Sequence, residues 1–225
     1  MKACLLTVAL MTTITPGIAQ NAPAAPKRVA LVFDDGPRPA DAGPLLAALD
    51  RENVRVTFAL VGARVIENPD TARAIVAAGH EVVNHSQTHA HARDLDDAAL
   101  DREVAAAQQN IQSVARVAPR WYWPPFLAID DRVRAAVARA NLTLYAPAHL
   151  VVSKDYDTSV GAAEIFRLAT GNVEDGAVIL FHEWRAETRQ QLPAIVAELR
   201  RQGCKFLTFS ELADALGRPA PASTP

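Results

Sequence analysis

The stretch Val29-Ala30-Leu31-Val32-Phe33-Asp34-Asp35-Gly36-Pro37 decides the fold. It is an apolar run of strand type that stops at two carboxylates and a Gly-Pro turn. A second such run, Val82-Val83-Asn84-His85-Ser86-Gln87-Thr88-His89, stops at two imidazoles four residues apart. Histidines at that spacing fall on one face of a helical turn, so their ring nitrogens are expected to converge. A zinc-like ion prefers such ligands, and a third ligand from the carboxylate pair would leave one coordination position for water. Adjacent residues of an extended chain point to opposite sides, so Asp34 and Asp35 are not expected to chelate one ion side by side. One carboxylate would bind the ion while its neighbour takes a proton from water.

Outward from these runs, strand-like segments recur at residues 29–33, 54–61, 81–84, 120–123, 142–146, 177–181 and 205–209. Segments with helical spacing lie between them, at residues 40–52, 69–78, 96–114, 130–140, 162–168 and 188–201. Asn68-Pro69 supplies a cap and a first-turn proline, and Gly79 and Gly203 stand just past two helix ends. Strand and helix alternate throughout, which implies an α/β fold with a mostly parallel sheet covered by helices. About seven such units favour a distorted (β/α) barrel over an open doubly wound sheet, and no Gly-rich phosphate loop follows the first strand. In such barrels functional groups sit where strands end. Asp34 and Asp35 end the first strand, His85 the third, and His182 the run Gly176-Ala177-Val178-Ile179-Leu180-Phe181. Each alone has a plain structural explanation as a turn, a cap or a core residue, but their recurrence at one end of the sheet points to a site.

At 225 residues and 50% hydrophobic, the chain can bury one good core and is short for two. A formal net charge of −2 without a concentrated basic face argues against nucleic acid or a membrane surface as the main partner. Lys2, the apolar run to Met11 and Gly17-Ile18-Ala19 have the layout of a secretory signal peptide over residues 1–19, too short and interrupted for a membrane span. Residues 20–27 then read as a linker, 28–216 as the folded domain and 217–225 as a disordered tail. Export to the periplasm or the exterior is the expectation, with no span left after cleavage. Cys204 would remain as a lone thiol, expected to be buried and structural.

The ordered set Phe33-Asp34-Asp35-Gly36-Pro37, His85-Ser86-Gln87-Thr88-His89 and Leu180-Phe181-His182 closely resembles the polysaccharide deacetylases of carbohydrate esterase family 4, the NodB-like domain. The resemblance runs from Arg28 to about Leu216. It implies a distorted barrel and removal of an acetyl group from an N-acetylated or O-acetylated carbohydrate. It also implies a divalent cofactor, usually Zn2+, with Co2+ or another divalent ion as alternatives. Carried across, Asp35, His85 and His89 resemble the metal ligands, Asp34 the general base and His182 the general acid. Ser86 and Thr88 would fix the loop between the histidines.

Two family motifs are altered. Arg120-Trp121-Tyr122-Trp123-Pro124-Pro125-Phe126 lies where the family has an Arg-Pro-Pro-Tyr-like run, and Trp123 takes the place of an arginine that orients the catalytic aspartate. Arg120 is the alternative source of that contact. The backbone N–H of Phe126 resembles the oxyanion donor. In Val152-Ser153-Lys154-Asp155-Tyr156, Asp155 resembles the partner of His182, with Asp157 as a competitor. Trp121, Trp123, Pro125, Tyr156 and Leu180 are expected around the substrate pocket, Leu180 against the acetyl methyl. Two other readings stay open: a relative hydrolysing another amide or ester, and a glycan-binding domain without turnover. The presence of Asp34 together with His182 speaks against a pure binder.

Overall fold

The computed structural model describes residues 25–218. Its axis is β1 (Lys27–Gly36), in which every residue from Val29 to Phe33 is fully buried. Such a strand needs a cover on both faces, and the chain supplies it by alternation. After β1 come α1 (Pro39–Arg51), β2 (Thr57–Leu60), α2 (Gly62–Glu67), α3 (Pro69–Ala77) and β3 (Glu81–Asn84). The middle of the chain forms α4 (Asp97–Ala115), β4 (Trp121–Tyr122), α5 (Asp131–Arg139), β5 (Thr143–Leu144) and β6 (His149–Val152). The remainder forms α6 (Ala162–Thr170), β7 (Ala177–His182), α7 (Ala186–Arg201), β8 (Cys204–Leu207) and α8 (Phe209–Ala215).

All strand pairs are parallel, in the order β5-β4-β3-β2-β1-β7-β6, with β8 also on β1. β7 pairs with Val29–Asp34 along one edge of β1, so β8, beside Lys27–Ala30, and β2, beside Val32–Gly36, share the other edge end to end. The path ends at β5 and β6, which leaves a curled half-barrel rather than a closed ring. Side chains alternate along β1. Val29, Leu31 and Phe33 pack outward with Phe58, Phe181 and the apolar faces of α1, α6 and α7. Ala30 and Val32 point inward, where Trp123, Tyr145, Leu180 and Phe209 fill the curl. The Phe33 ring stacks between Phe58 (5.8 Å) and Phe181 (5.4 Å), three strands meeting just beneath the carboxylates.

Three helix starts carry side-chain caps, whereas Asn68, expected to cap α3, makes no capping bond and donates instead to the Arg64 carbonyl. Asp96 and Asp130 accept from Ala99 N–H and Val133 N–H at the heads of α4 and α5. Thr208 and Glu211 form a reciprocal capping box that opens α8 and stops β8 at Leu207, short of the expected Phe209. Sequence periodicity did not anticipate β6, α2 or α8, segments of four, six and seven residues, too short to display a period. Cys204 is buried. No described helix is long and apolar enough to cross a membrane, and the expected signal peptide lies outside the described residues.

Candidate active site

The end of β1 breaks regular geometry. Its register with β2 shifts between Phe33 and Gly36, and Asp35 adopts a left-handed φ of 71°. The expectation that the two carboxylates point to opposite sides is therefore corrected, because Asp34 and Asp35 line one cleft. A positive φ at a non-glycine residue costs energy and is held by neighbours. Arg64 on α2 donates to the Asp35 carbonyl, and the indole N–H of Trp184 donates to Asp35 Oδ2 at 3.2 Å.

The two imidazoles also converge differently from expectation. β3 ends at Asn84, and residues 85–89 form an irregular loop, not a helical turn. Ser86 and His89 have φ of 63° and 64°, and side chains pin the loop. Asn84 Oδ1 accepts from Ser86 N–H (3.0 Å), and Ser86 Oγ accepts from His89 N–H (3.0 Å). The Glu103 carboxylate on α4 accepts from Gln87 N–H (3.0 Å), Thr88 N–H (2.8 Å) and the Thr88 hydroxyl (2.7 Å). His89 Nε2 thereby reaches 3.2 Å from Asp35 Oδ1, with His85 Nε2 4.0 Å from the same oxygen.

Asp35, His85 and His89 each offer a ligand atom within 4.8 Å of the others. The chemistry of the set fits a divalent ion. His85 Nδ1–H donates to the carbonyl of Trp123 at 2.6 Å, which leaves the Nε2 lone pair facing the carboxylates, buried and without a hydrogen-bond partner. Burial, reinforced by the adjacent His89, pushes His85 down to about 3, so the ring is neutral, the form a metal needs. Burial also lowers His89. For Asp35 burial acts upward, but His85, His89, His182 and Arg64 outweigh it and hold the carboxyl below its ordinary value.

Beside this trio lie the other expected residues. Asp34 is paired in register with His182 across β1 and β7. Burial pushes the Asp34 carboxyl up to about 8, against the opposing pull of His182 and an indole hydrogen bond. That bond comes from Trp123 Nε1, 2.8 Å from Asp34 Oδ2. His182 Nδ1–H donates to Asp155 Oδ1 at 2.7 Å, while Asp155 Oδ2 accepts from His182 N–H and the Thr188 hydroxyl, both at 2.8 Å. Burial works to lower His182, but the Asp155 hydrogen bond and the carboxylates of Asp34, Asp155 and Asp35 raise it on balance. Asp157, the competitor, instead caps Ser159 at the surface.

The cleft holds about 480 Å³ between Asp34, Asp35, His89, Phe126, Leu127, Val152, Tyr156, Leu180, His182 and Trp184. Tyr156 and Leu180 stand where expected. Trp123 and Pro125 do not: both are buried behind the lining, and Trp121 donates to Ser210, away from the cleft. Phe126 adopts φ 56° and lies exposed over the rim, its ring stacked on His91 at 4.7 Å and edge-on to His89 at 4.7 Å. Sequence reading passed over Arg64, Glu103, Trp184 and Thr188. Their partners are 15 to 149 residues away, so no local spacing signals them.

A parallel half-barrel with an Asp-His-His cluster and a carboxylate-histidine pair at its strand ends is the architecture of a hydrolase. A family model described as polysaccharide deacetylase matches residues 21–145. The chain is similar to a peptidoglycan-N-acetylglucosamine deacetylase of Bacillus cereus, 28% identical over 83% of this chain and 88% of that protein. It is also similar to the structure of a family 4 carbohydrate esterase from Streptomyces lividans in complex with acetate, with a TM-score of 0.74 and 32% identity over 80% of this chain and 92% of that one. A family 4 acetyl xylan esterase from Clostridium thermocellum, in complex with a cobalt ion, has a TM-score of 0.78 and 30% identity over 86% of this chain and 94% of that one. The Listeria monocytogenes peptidoglycan-N-acetylglucosamine deacetylases it also resembles are longer, and the chain spans 39% of their length. The chain belongs to the polysaccharide deacetylases of carbohydrate esterase family 4.

Proposed function

We propose that the chain is an exported, divalent-metal-dependent deacetylase that hydrolyses N-acetyl or O-acetyl groups of a carbohydrate polymer or oligosaccharide. The observation that carries this reading is the convergence of Asp35, His85 and His89 within 4.8 Å, beside Asp34 and His182 in one cleft. Acetylated glycans are the substrates named for the Bacillus cereus and Clostridium thermocellum relatives. The N-terminal pattern of Lys2 and an apolar run supports export.

Asp35, His85 and His89 would hold the ion. Zinc is the first choice for two imidazoles and a carboxylate. Bound there, it supplies Lewis-acid polarisation of the acetyl carbonyl, acidifies water and favours the ionised form of nearby carboxylates. The protein's own groups divide the remaining work. Asp34 takes the proton of the attacking water as the new C–O bond forms at the acetyl carbon. The backbone N–H of Phe126 at the cleft rim steadies the charge that gathers on the carbonyl oxygen. His182, protonated and braced by Asp155, delivers its proton to the departing sugar nitrogen or oxygen as that bond breaks. Leu180 packs toward the acetyl methyl, and Tyr156 faces the sugar from the open side.

The test is acetate release from chitooligosaccharides, peptidoglycan fragments and acetylated xylan, with metal content measured on the same samples. Asp34→Asn should keep its metal and lose turnover, whereas Asp35→Asn should weaken both. Unchanged acetate release by Asp34→Asn would refute the base assignment, and release by none of the substrates would refute the activity.

A further inference from the structure

We propose that Trp123 is the positioning residue of the site, holding Asp34 through its indole N–H while its carbonyl oxygen sets the tautomer of His85. The inference rests on the reading of Asp34 as the base. Trp123 is fully buried, and two of its polar contacts reach two different parts of the site. Nε1–H lies 2.8 Å from Asp34 Oδ2, and the carbonyl oxygen lies 2.6 Å from His85 Nδ1. A further bond, from its N–H to the Asn84 carbonyl at 2.9 Å, ties this backbone to the end of β3. The ring cannot swing, because Phe209 (5.3 Å) and Tyr145 (6.3 Å) pack against it.

The arrangement divides the carboxylate in two. Oδ2 is occupied by the indole, while Oδ1 is buried without a hydrogen-bond partner. A carboxylate pinned at one oxygen presents the other in a single orientation, which is what removing a proton from water requires. The donor is also neutral, so it orients Asp34 without competing as a cation for its charge. Because the second contact is made by backbone, it survives any change of side chain. Loss of the indole N–H should therefore disturb Asp34 while leaving His85 in its tautomer.

The decisive experiment replaces Trp123 in the full chain by 3-benzothienylalanine, which keeps the ring shape and puts sulfur where the N–H stood. Trp123→Phe is the genetic counterpart. Trp121→Phe, which loses the 2.9 Å bond to Ser210 away from the cleft, is the control. With acetylated chitooligosaccharide and zinc, the isostere should lower kcat by about 10- to 100-fold. KM should stay within about twofold, zinc content should be unchanged, and Trp121→Phe should leave kcat as it is. An isostere with undiminished kcat would overturn the proposal, as would a loss that appears equally in Trp121→Phe. Asp34→Asn serves as reference. If it turns over normally, the base assignment falls and takes this inference with it; if it is inactive while the isostere is fully active, only the role of Trp123 falls.

Discussion

Asp155 governs what His182 can do. Fully buried, it accepts from the ring, the backbone N–H of His182 and the Thr188 hydroxyl, so its charge is held where it favours the imidazolium. The net upward displacement of His182 keeps the acid form present to higher pH than an unassisted histidine would. Asp155→Asn removes that charge. The basic limb of the pH profile should move to lower pH, and kcat at neutral pH should fall by about 10- to 100-fold. A profile that stays in place would show that Asp155 does not tune His182. At this scale the sequence was informative about which residues the fold gathers at the cleft and poor about what holds them. Asp34, Asp35, His85, His89 and His182 stand in short motifs at strand ends, where local reading works. Trp123 and Asp34 are 89 residues apart, and Thr188 and Asp155 are 33 apart, so each contact exists only once the strands are in register.

Between elements, the loop from His85 to His89 owes its shape to α4. A five-residue segment with two left-handed residues would not stay folded alone, and Glu103 closes it with three hydrogen bonds. Glu103→Ala releases His89 from its fixed aim at Asp35. Zinc affinity, measured by chelator competition, should drop by about 10- to 100-fold, with α4 intact by circular dichroism. Affinity equal to that of the unaltered protein would show that the loop holds itself. Here the sequence misled in an instructive way. The four-residue spacing suggested a helical turn, and the expected convergence of the rings arises instead from side-chain clamps. The two carboxylates were expected on opposite faces, and a register shift at the end of β1 brings them together. Long elements with clear periods, such as α4 and α7, were legible almost to their ends, whereas α2 and β6 carry too few residues to declare themselves.

Across the whole molecule, the cleft end of the sheet is tied to its helical cover through Glu183, the residue after His182. Its Oε1 accepts from Arg38 N–H at 2.7 Å, and its carbonyl accepts from Arg189, which pairs with Asp41 on α1 at 3.0 Å. Burial pushes the Glu183 carboxyl up to about 7, with Asp41 adding to the rise and the Arg38 hydrogen bond opposing it. A folded-state value above the unfolded one means that the native state holds the proton more tightly. Its contribution is fully present below the unfolded value of about 4.3 and is lost as pH rises through about 7. Glu183→Gln keeps the acceptor and cannot ionise. In chelated samples, its stability relative to the parent should improve by about 1–3 kcal/mol between pH 5 and pH 8, read from urea midpoints. Parallel curves would show that the carboxyl ionises freely in the fold.

The proposed hydrolysis depends on an ion held jointly by Asp35, His85 and His89. Stripping the protein with a chelator and returning zinc stepwise, with acetate release from an N-acetylated chitooligosaccharide followed at each addition, addresses it directly. Release should be absent at the start, rise linearly and level at a single equivalent, with a flat line for Asp35→Ala. Full release by the stripped protein would contradict that dependence.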